Sequence, residues 1–434
     1  MRLQLDILNI KDVQFADQTT IIDGVLYINR QELQEFLKED KRLSRVDIEL
    51  AHPGEKCRII QVSDVVEPRA KKNGDVDFPG ALGRQGMVGR GNTCVLRGTA
   101  VVMSEYRRDG DPPMQPGMPL HGGIIDMSGL GAKLSIYGKT HNVVLVPWPA
   151  NEISLHDYRI ALKIAGLKTA VYLAKAGKGL RPDEIEVYDL PPLSKIGKEL
   201  EDLPKVAYIF QFISAQFETI PGYPILYGSS AERIAPTVLH PNEILDGAII
   251  TPYRTMDIDV FGLQNHSIIK ELYQRHGKDL CFTGVVITVA HDNIQENERA
   301  ATMAANLVKW VLDADGVILT KSGGGIPEVA MALTAQRCEV LGVRTSVALT
   351  HYPADFSDAA FDSTILFNVP EIDAIVSLGT PHALITLPPV ERIIGKPVTL
   401  HEGPPANGEI ETRMRWVQGV FSQIGNSRLI AVRY

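Results

Sequence analysis

The sequence predicts an α/β protein: a β-rich N-terminal domain followed by parallel-sheet α/β regions with flanking helices. Two observations carry this. From about residue 140 onward, short apolar runs rich in β-branched residues alternate with helix-period segments, the pattern of a parallel sheet covered by helices. Before that point, Gly and Pro crowd residues 64 to 126, the runs between them are short and β-like, and no α/β repeat shows. The length of 434 residues fits two or three domains at roughly 100–200 residues each. We place them at 1–135 (β-rich), 136–280 (α/β) and 281–434 (α/β, with a Gly-rich loop).

Taken in order, Val25-Leu26-Tyr27-Ile28 reads as a strand, and Arg30 to Glu39 has helical periodicity with Leu33, Phe36 and Leu37 on one side. Val46-Asp47-Ile48-Glu49-Leu50 alternates with period two, as a half-buried strand does. Thr93 to Leu96 and Gly98 to Val102 are β-like runs between long loops. Val143 to Val146 is a strand, and Ser154 is placed to cap a helix reaching about Ala176. Val206 to Phe210 is the next strand. The alternation is clearest after 281: strand Gly284 to Val289, helix Glu296 to Leu312, strand Gly316 to Leu319 and helix Pro327 to Leu341. Short strands follow at Thr345 to Leu349 and Ala374 to Leu378. The tail reads as a helix over Arg413 to Phe421 and a last strand, Arg428 to Val432. No internal repeat of 20–50 residues shows.

Apolar residues make up 44% of the chain and charged residues 22%, ordinary for a globular protein with its own core. With 44 Lys plus Arg against 52 Asp plus Glu, the net charge is −8. That balance, without a basic stripe, argues against nucleic acid as a partner. No run is long and apolar enough to span a bilayer, and the first residues lack a secretory pattern, so a cytoplasmic protein is expected. Cys57, Cys94, Cys281 and Cys338 form no Cys-x-x-Cys pair, which points to neither a disulfide framework nor a zinc knuckle.

The sharpest local feature is Lys321-Ser322-Gly323-Gly324-Gly325-Ile326-Pro327-Glu328, between a strand and a helix. It reads as an anion cradle, because glycines let a ligand approach and a helix N-terminus attracts negative charge. It reads equally as a tight turn with Pro327 opening the helix. It matches neither the phosphate-loop nor the dinucleotide pattern. Asp126, in Gly123-Ile124-Ile125-Asp126-Met127-Ser128-Gly129, sits at a strand end, as an active-site loop or a simple turn would place it. His240, His291 and His351 lie near strand ends, where a base or a metal ligand gathers. No His-Glu-x-x-His spacing occurs, so no metal is assigned. No Gly-x-Ser-x-Gly elbow occurs either, and Cys281 and Cys338 read as core.

Several segments resemble the proprotein subunit of component B in the glycine, sarcosine and betaine reductases, with the D-proline reductase proprotein more distant. They are Ile10 to Phe15, Asp64-Val65-Val66-Glu67-Pro68-Arg69, Phe78-Pro79-Gly80, Gly123 to Gly129, Leu203 to Val206, Pro236-Thr237, Asp246-Gly247-Ala248-Ile249, Leu272 to Lys278 and Leu387-Pro388-Pro389. None is a motif of its own, but their collinear order spans nearly the whole chain. The resemblance implies a subunit of a reductase complex acting on a small amine or amino-acid-like substrate by C–N bond cleavage. It implies a second subunit, often a selenoprotein, and a pyruvoyl group made by internal cleavage before a cysteine. Here the expected position reads Thr251-Pro252-Tyr253-Arg254-Thr255-Met256-Asp257, with neither Cys nor Ser, so the pyruvoyl group is expected to be lost and no other cofactor is named.

Three readings follow: a component B-like subunit without the pyruvoyl group, a metal- or His-dependent hydrolase on the same scaffold, or a non-catalytic scaffold subunit. The expected site gathers His240, Tyr253 and Asp126 as catalytic groups. Arg254, Ser322, Gly323, Gly324 and Gly325 bind substrate, with the Arg254 fork on its carboxylate.

Overall fold

The computed structural model describes residues 1–73, 76–107, 122–213, 225–251, 258–323, 325–350, 369–379, 383–397 and 405–425. It is α/β with two large sheets, as the alternation predicts. The first runs in the order Gly123–Asp126, Cys57–Val66, Thr99–Ser104, His141–Pro149, Leu43–Ala51. The late strand Arg392–Ile394 adds in parallel to Cys57–Val66. A four-stranded sheet beside it joins Glu184–Asp189, Arg2–Asn9, Gly91–Arg97 and Arg69–Lys71. The strand Val143 to Val146 foreseen from its β-branched run lies inside His141–Pro149. It therefore belongs to the same sheet as the strands before residue 126.

The helix Leu155–Lys175 packs across both sheets, touching 69–71, 99–104 and 57–66. Ser154 caps it as expected, its hydroxyl accepting from the Asp157 N–H at 3.0 Å. Its inward face is Ala161, Leu162, Ala165, Ala170 and Leu173, but it also buries Arg159 and Lys163. Those two charges recur below.

The second large sheet has the order Thr237–Leu239, Cys281–Ala290, Lys205–Ile213, Gly316–Lys321, Arg344–Leu349, Ala374–Ser377. All neighbours are parallel except the antiparallel edge 237–239. Parallel strands are buried on both faces, and every residue of Cys281–Ala290 is buried. The helices Ile294–Asn306 and Ile326–Val340 cover one face, Asn293 and Gly325 standing at their N-caps.

The tail departs from expectation. Residues 413–421 are not a helix: a strand, Ile410–Arg413, pairs with Leu384–Leu387, and a single 3-10 turn, Met414–Trp416, follows. Gly419 has φ +76°, and a Cβ there would stand 2.6 Å from the Tyr137 ring, so the chain turns where a helix would have run straight. Val417, Val420 and Ile424 are buried instead in the resulting coil. The strand expected at 428–432 lies outside the described residues. No helix among the described residues is long and apolar enough to cross a membrane.

Candidate functional site

Numbered by their position in the chain, the parallel strands of the second sheet run 2-1-3-4-5. In such sheets a ligand crevice opens outside the carboxyl ends, where the order reverses between strands 1 and 3. Here those are Lys205–Ile213 and Gly316–Lys321, and Ser322 and Gly323 follow directly. The Ser322 N–H donates to the Gln211 carbonyl at 2.9 Å, and the Gln211 side chain donates to the Pro327 carbonyl at 2.6 Å. One glutamine thereby fixes both walls. Gly323 and Gly325 have φ +83° and +77°. Beneath the loop, buried Lys321 donates to the Gly323 carbonyl at 2.6 Å and stands 3.3 Å from Glu328 in the first helical turn. The positive helix end therefore already faces a carboxylate, and both signs of charge lie under the loop.

Other expected groups stand elsewhere. His240 follows the edge strand 237–239, whose Leu239 is level with Val285, Tyr208 and Ile318. It is thus three strand spacings of about 4.8 Å, and about five residues of roughly 3.3 Å, from Ser322. Its ring is the N-cap of the helix Pro241–Leu245, accepting from the Asn242 N–H at 3.2 Å, while Glu243 returns to the His240 N–H at 2.7 Å. Burial and the nearby chain N-terminus push its pKa down to about 4, so it is a neutral cap at pH 7. Asp126 gives both oxygens to Arg58, at 2.7 and 3.0 Å, with both side chains fully buried. The described residues thus place His240 at a helix cap and Asp126 on Arg58, while Ser322, Gly323 and Gly325 stand at the crevice. Gly324, Tyr253, Arg254 and His351 lie outside the described residues. His291 directly follows strand 281–290, its backbone clasped by Asn297 at 2.7 and 2.9 Å.

A second focus was not foreseen. The chain on either side of residues 252–257 is held by buried ionic groups from the first half of the protein. Asp246 receives Lys71, the Gly89 N–H at 2.6 Å and the Thr93 hydroxyl at 3.1 Å. Arg69 pairs with Glu67 at 2.5 Å and donates to the Leu245 carbonyl at 3.0 Å. Lys163 pairs with Asp64 and donates to the Thr251 hydroxyl at 2.8 Å; that hydroxyl donates to Asp64 at 3.1 Å. Asp64 also accepts from the Val260 N–H at 3.0 Å. Next to it, Asp259 accepts from Tyr137 at 2.5 Å and Gln418 at 2.8 Å. The segment Asp64 to Arg69, which carried part of the family resemblance, thus reaches the chain just before and just after Asp246 to Ile249, at Leu245 and Thr251. The available signal was charge inside apolar runs: Asp64 within Ile59 to Val66, and Lys163 within an apolar helix face.

Burial, reinforced by the neighbouring Asp64 charge, pushes the Asp259 carboxyl up to about 6 from 3.8. The folded state then keeps a proton that the unfolded state releases near pH 4. Stability from this group is therefore full below about pH 4, falls as pH rises to about 6 and is flat above, a change of roughly 3 kcal/mol. Urea unfolding at stepped pH is expected to show that fall, relative to Asp259→Asn, between pH 4 and 6. Parallel wild-type and variant curves would refute it.

A cavity of about 540 Å³ opens away from both places, lined by Leu8, Ile10, Lys11, Ile21, Arg181 and Asp183 among others.

The fold and its two foci define a doubly wound α/β protein with a crevice at the strand-order switch and an ionic frame around residues 245–265. The family model for glycine/sarcosine/betaine reductase component B subunits matches residues 1–411. The chain is 34% identical over 447 residues, covering all of both chains, to the glycine reductase complex component B subunits alpha and beta of Acetoanaerobium sticklandii. It is 36% identical to the sarcosine reductase complex component B subunit alpha of Peptoclostridium acidaminophilum, over 91% of this chain and 89% of that one. It is 31% identical to the betaine reductase complex component B subunit alpha of the same organism, over 91% and 88%. This chain belongs to the glycine/sarcosine/betaine reductase component B subunit family. No solved structure matches it.

Proposed function

We propose that the chain is a subunit of a glycine/sarcosine/betaine reductase-like complex that binds a small amine or amino-acid-like substrate for C–N bond cleavage. It works beside a second subunit and without a pyruvoyl group. The observation that carries this reading is the family match over residues 1–411, with relatives named as component B subunits of three such complexes. A pyruvoyl group would need Cys or Ser at the cleavage position, and residues 251–257 offer neither. The Thr251 hydroxyl is also engaged on both sides, by Lys163 and Asp64. The residues present do not fit the group, and no step runs through it. In this reading Arg254 pairs the substrate carboxylate through its planar fork, and Tyr253 supplies a proton. The 322–325 loop at the strand-order switch holds the small substrate.

The test is intact-mass analysis of the chain purified with its native partner, followed by calorimetric titration of glycine, sarcosine and betaine. A single species at 47.7 kDa, unchanged in mass by borohydride, is expected. Arg254→Ala should weaken the binding amino acid ~10–100-fold, the loss of a charge-assisted hydrogen bond. Two fragments, one with a ketoacyl terminus, would overturn the loss of the pyruvoyl group. Unaltered affinity in Arg254→Ala would overturn the carboxylate assignment.

A further inference from the structure

We propose that Asp12, His52 and His141 form a binding site for a zinc-class divalent cation, stapling the small N-terminal sheet to the six-stranded sheet. Among the described residues they are the one group of three His, Cys or carboxylate side chains whose ligand atoms lie close enough together to hold an ion. The Nδ1 atoms of His52 and His141 are 3.1 Å apart, and Asp12 Oδ1 is 3.4 Å from the first and 3.7 Å from the second. Ligands on a tetrahedral ion, at 2.0–2.1 Å from it, stand about 3.3–3.4 Å from one another. The observed triangle has that size.

The backbone dictates the convergence. In the antiparallel ladder Asn142 pairs with Ala51, so His141 falls opposite His52 at the sheet's end. Asp12 arrives from the separate strand Asp12–Phe15 of a three-stranded sheet. Gly98 makes that approach possible: it has φ +88°, its carbonyl accepts from the His141 N–H at 2.9 Å, and a Cβ on it would stand 2.6 Å from the Ile10 carbonyl. The two rings meet edge to face at 5.4 Å and 68°. Two neutral imidazoles can share one proton across such a gap; a divalent ion takes a lone pair from each, and from the carboxylate. All three side chains are part-exposed, 35% for Asp12, 37% for His52 and 17% for His141, leaving an entry path and a fourth position for water. Two imidazoles and one carboxylate suit zinc and its first-row neighbours better than calcium or magnesium.

The site is independent of the crevice and of residues 245–265, so its failure leaves the reductase reading untouched. The test uses untagged full-length chain, stripped with chelator and titrated with Zn²⁺ by calorimetry and with Co²⁺ by visible absorption. One ion per chain is expected, with the intense visible bands of tetrahedral Co²⁺. His52→Ala and His141→Ala should each lower affinity beyond the ~10–100-fold that loss of a mere outer-sphere partner costs. Asp12→Asn, which preserves shape, should weaken binding while leaving the far-ultraviolet circular dichroism unchanged. His156→Ala, at an exposed histidine elsewhere, should change nothing. No binding by the wild-type chain, or equal binding by the His52 and His141 variants, would overturn the proposal.

Discussion

Asp64→Ala should lower the unfolding free energy by about 3–5 kcal/mol, the cost of leaving one charge of a buried pair without its partner. The stranded charge is Lys163, 2% exposed in the middle of the helix 155–175. The same change removes the acceptor of the Thr251 hydroxyl and of the Val260 N–H. Against a total stability of roughly 5–15 kcal/mol, the loss is a large fraction. The measurement is urea unfolding, read as a shift in midpoint. The decisive control is Asp64→Leu combined with Lys163→Met, which replaces the pair by apolar groups of similar size. Such replacements are often neutral or stabilising, so the double variant should recover most of the loss. A double variant as unstable as Asp64→Ala would mean that the backbone contact at Val260, and not the stranded ammonium, sets the cost. The pair flanks residues 252–257 on both sides, so the double variant also asks whether that segment needs the charges or only their volume.

Much of the architecture was legible because it rests on local periodicity. The strands at 206–210, 284–289, 316–319 and 345–349 and the helices between them follow from hydrophobic runs that each element must bury. The tail failed for a local reason as well: Met414, Trp416, Val417, Val420 and Phe421 mimic helical spacing, and only the conformation of Gly419 distinguishes a coil. Of the candidate site, the glycine-rich stretch after the strand 316–321 is what the sequence marks out, by glycines between a strand and a helix; the strand order puts Ser322 and Gly323 at the switch point. The ionic frame was not legible, since Asp64, Lys163 and Thr251 are separated by 99 and 88 residues. Periodicity reports that a position is buried and is silent on which distant charge meets it there. The helix-capping place of His240 was not legible for a different reason: the capping box that it forms with Glu243 shows only once the helix Pro241–Leu245 is seen.

Arg58→Ala should be as damaging as Asp64→Ala, about 3–5 kcal/mol, and it tests what Asp126 is for. The Arg58 guanidinium is fully buried and makes five hydrogen bonds. Two go to Asp126, and one each goes to the carbonyls of Pro388, Ala406 and Gly408, at 2.8, 3.0 and 3.0 Å. One side chain therefore ties the strand 123–126 to two segments that lie more than 300 residues after Arg58 itself. Truncation leaves a buried carboxylate whose pKa, already raised by burial against the opposing pull of Arg58, must rise further, and three carbonyls without a donor. The pH dependence separates this from simple loss of packing. With Arg58 gone, Asp126 would keep its proton in the folded state to a higher pH, so the variant should be least impaired in acid and lose stability as pH rises. Adding Asp126→Asn removes the charge that makes the deficit pH-dependent. The pair Arg58→Met with Asp126→Asn should therefore be more stable at pH 8 than Arg58→Met alone. If Asp126 were instead a catalytic group, Asp126→Asn would abolish turnover while leaving the urea midpoint in place; the geometry predicts that the midpoint moves first. Lys163 cannot be removed from a paired Asp64, nor Arg58 from Asp126, without this penalty. The two pairs lie on the same strand, Cys57–Val66, one near each end. Through them that single strand holds Pro388, Ala406 and Gly408 and the chain on both sides of residues 252–257.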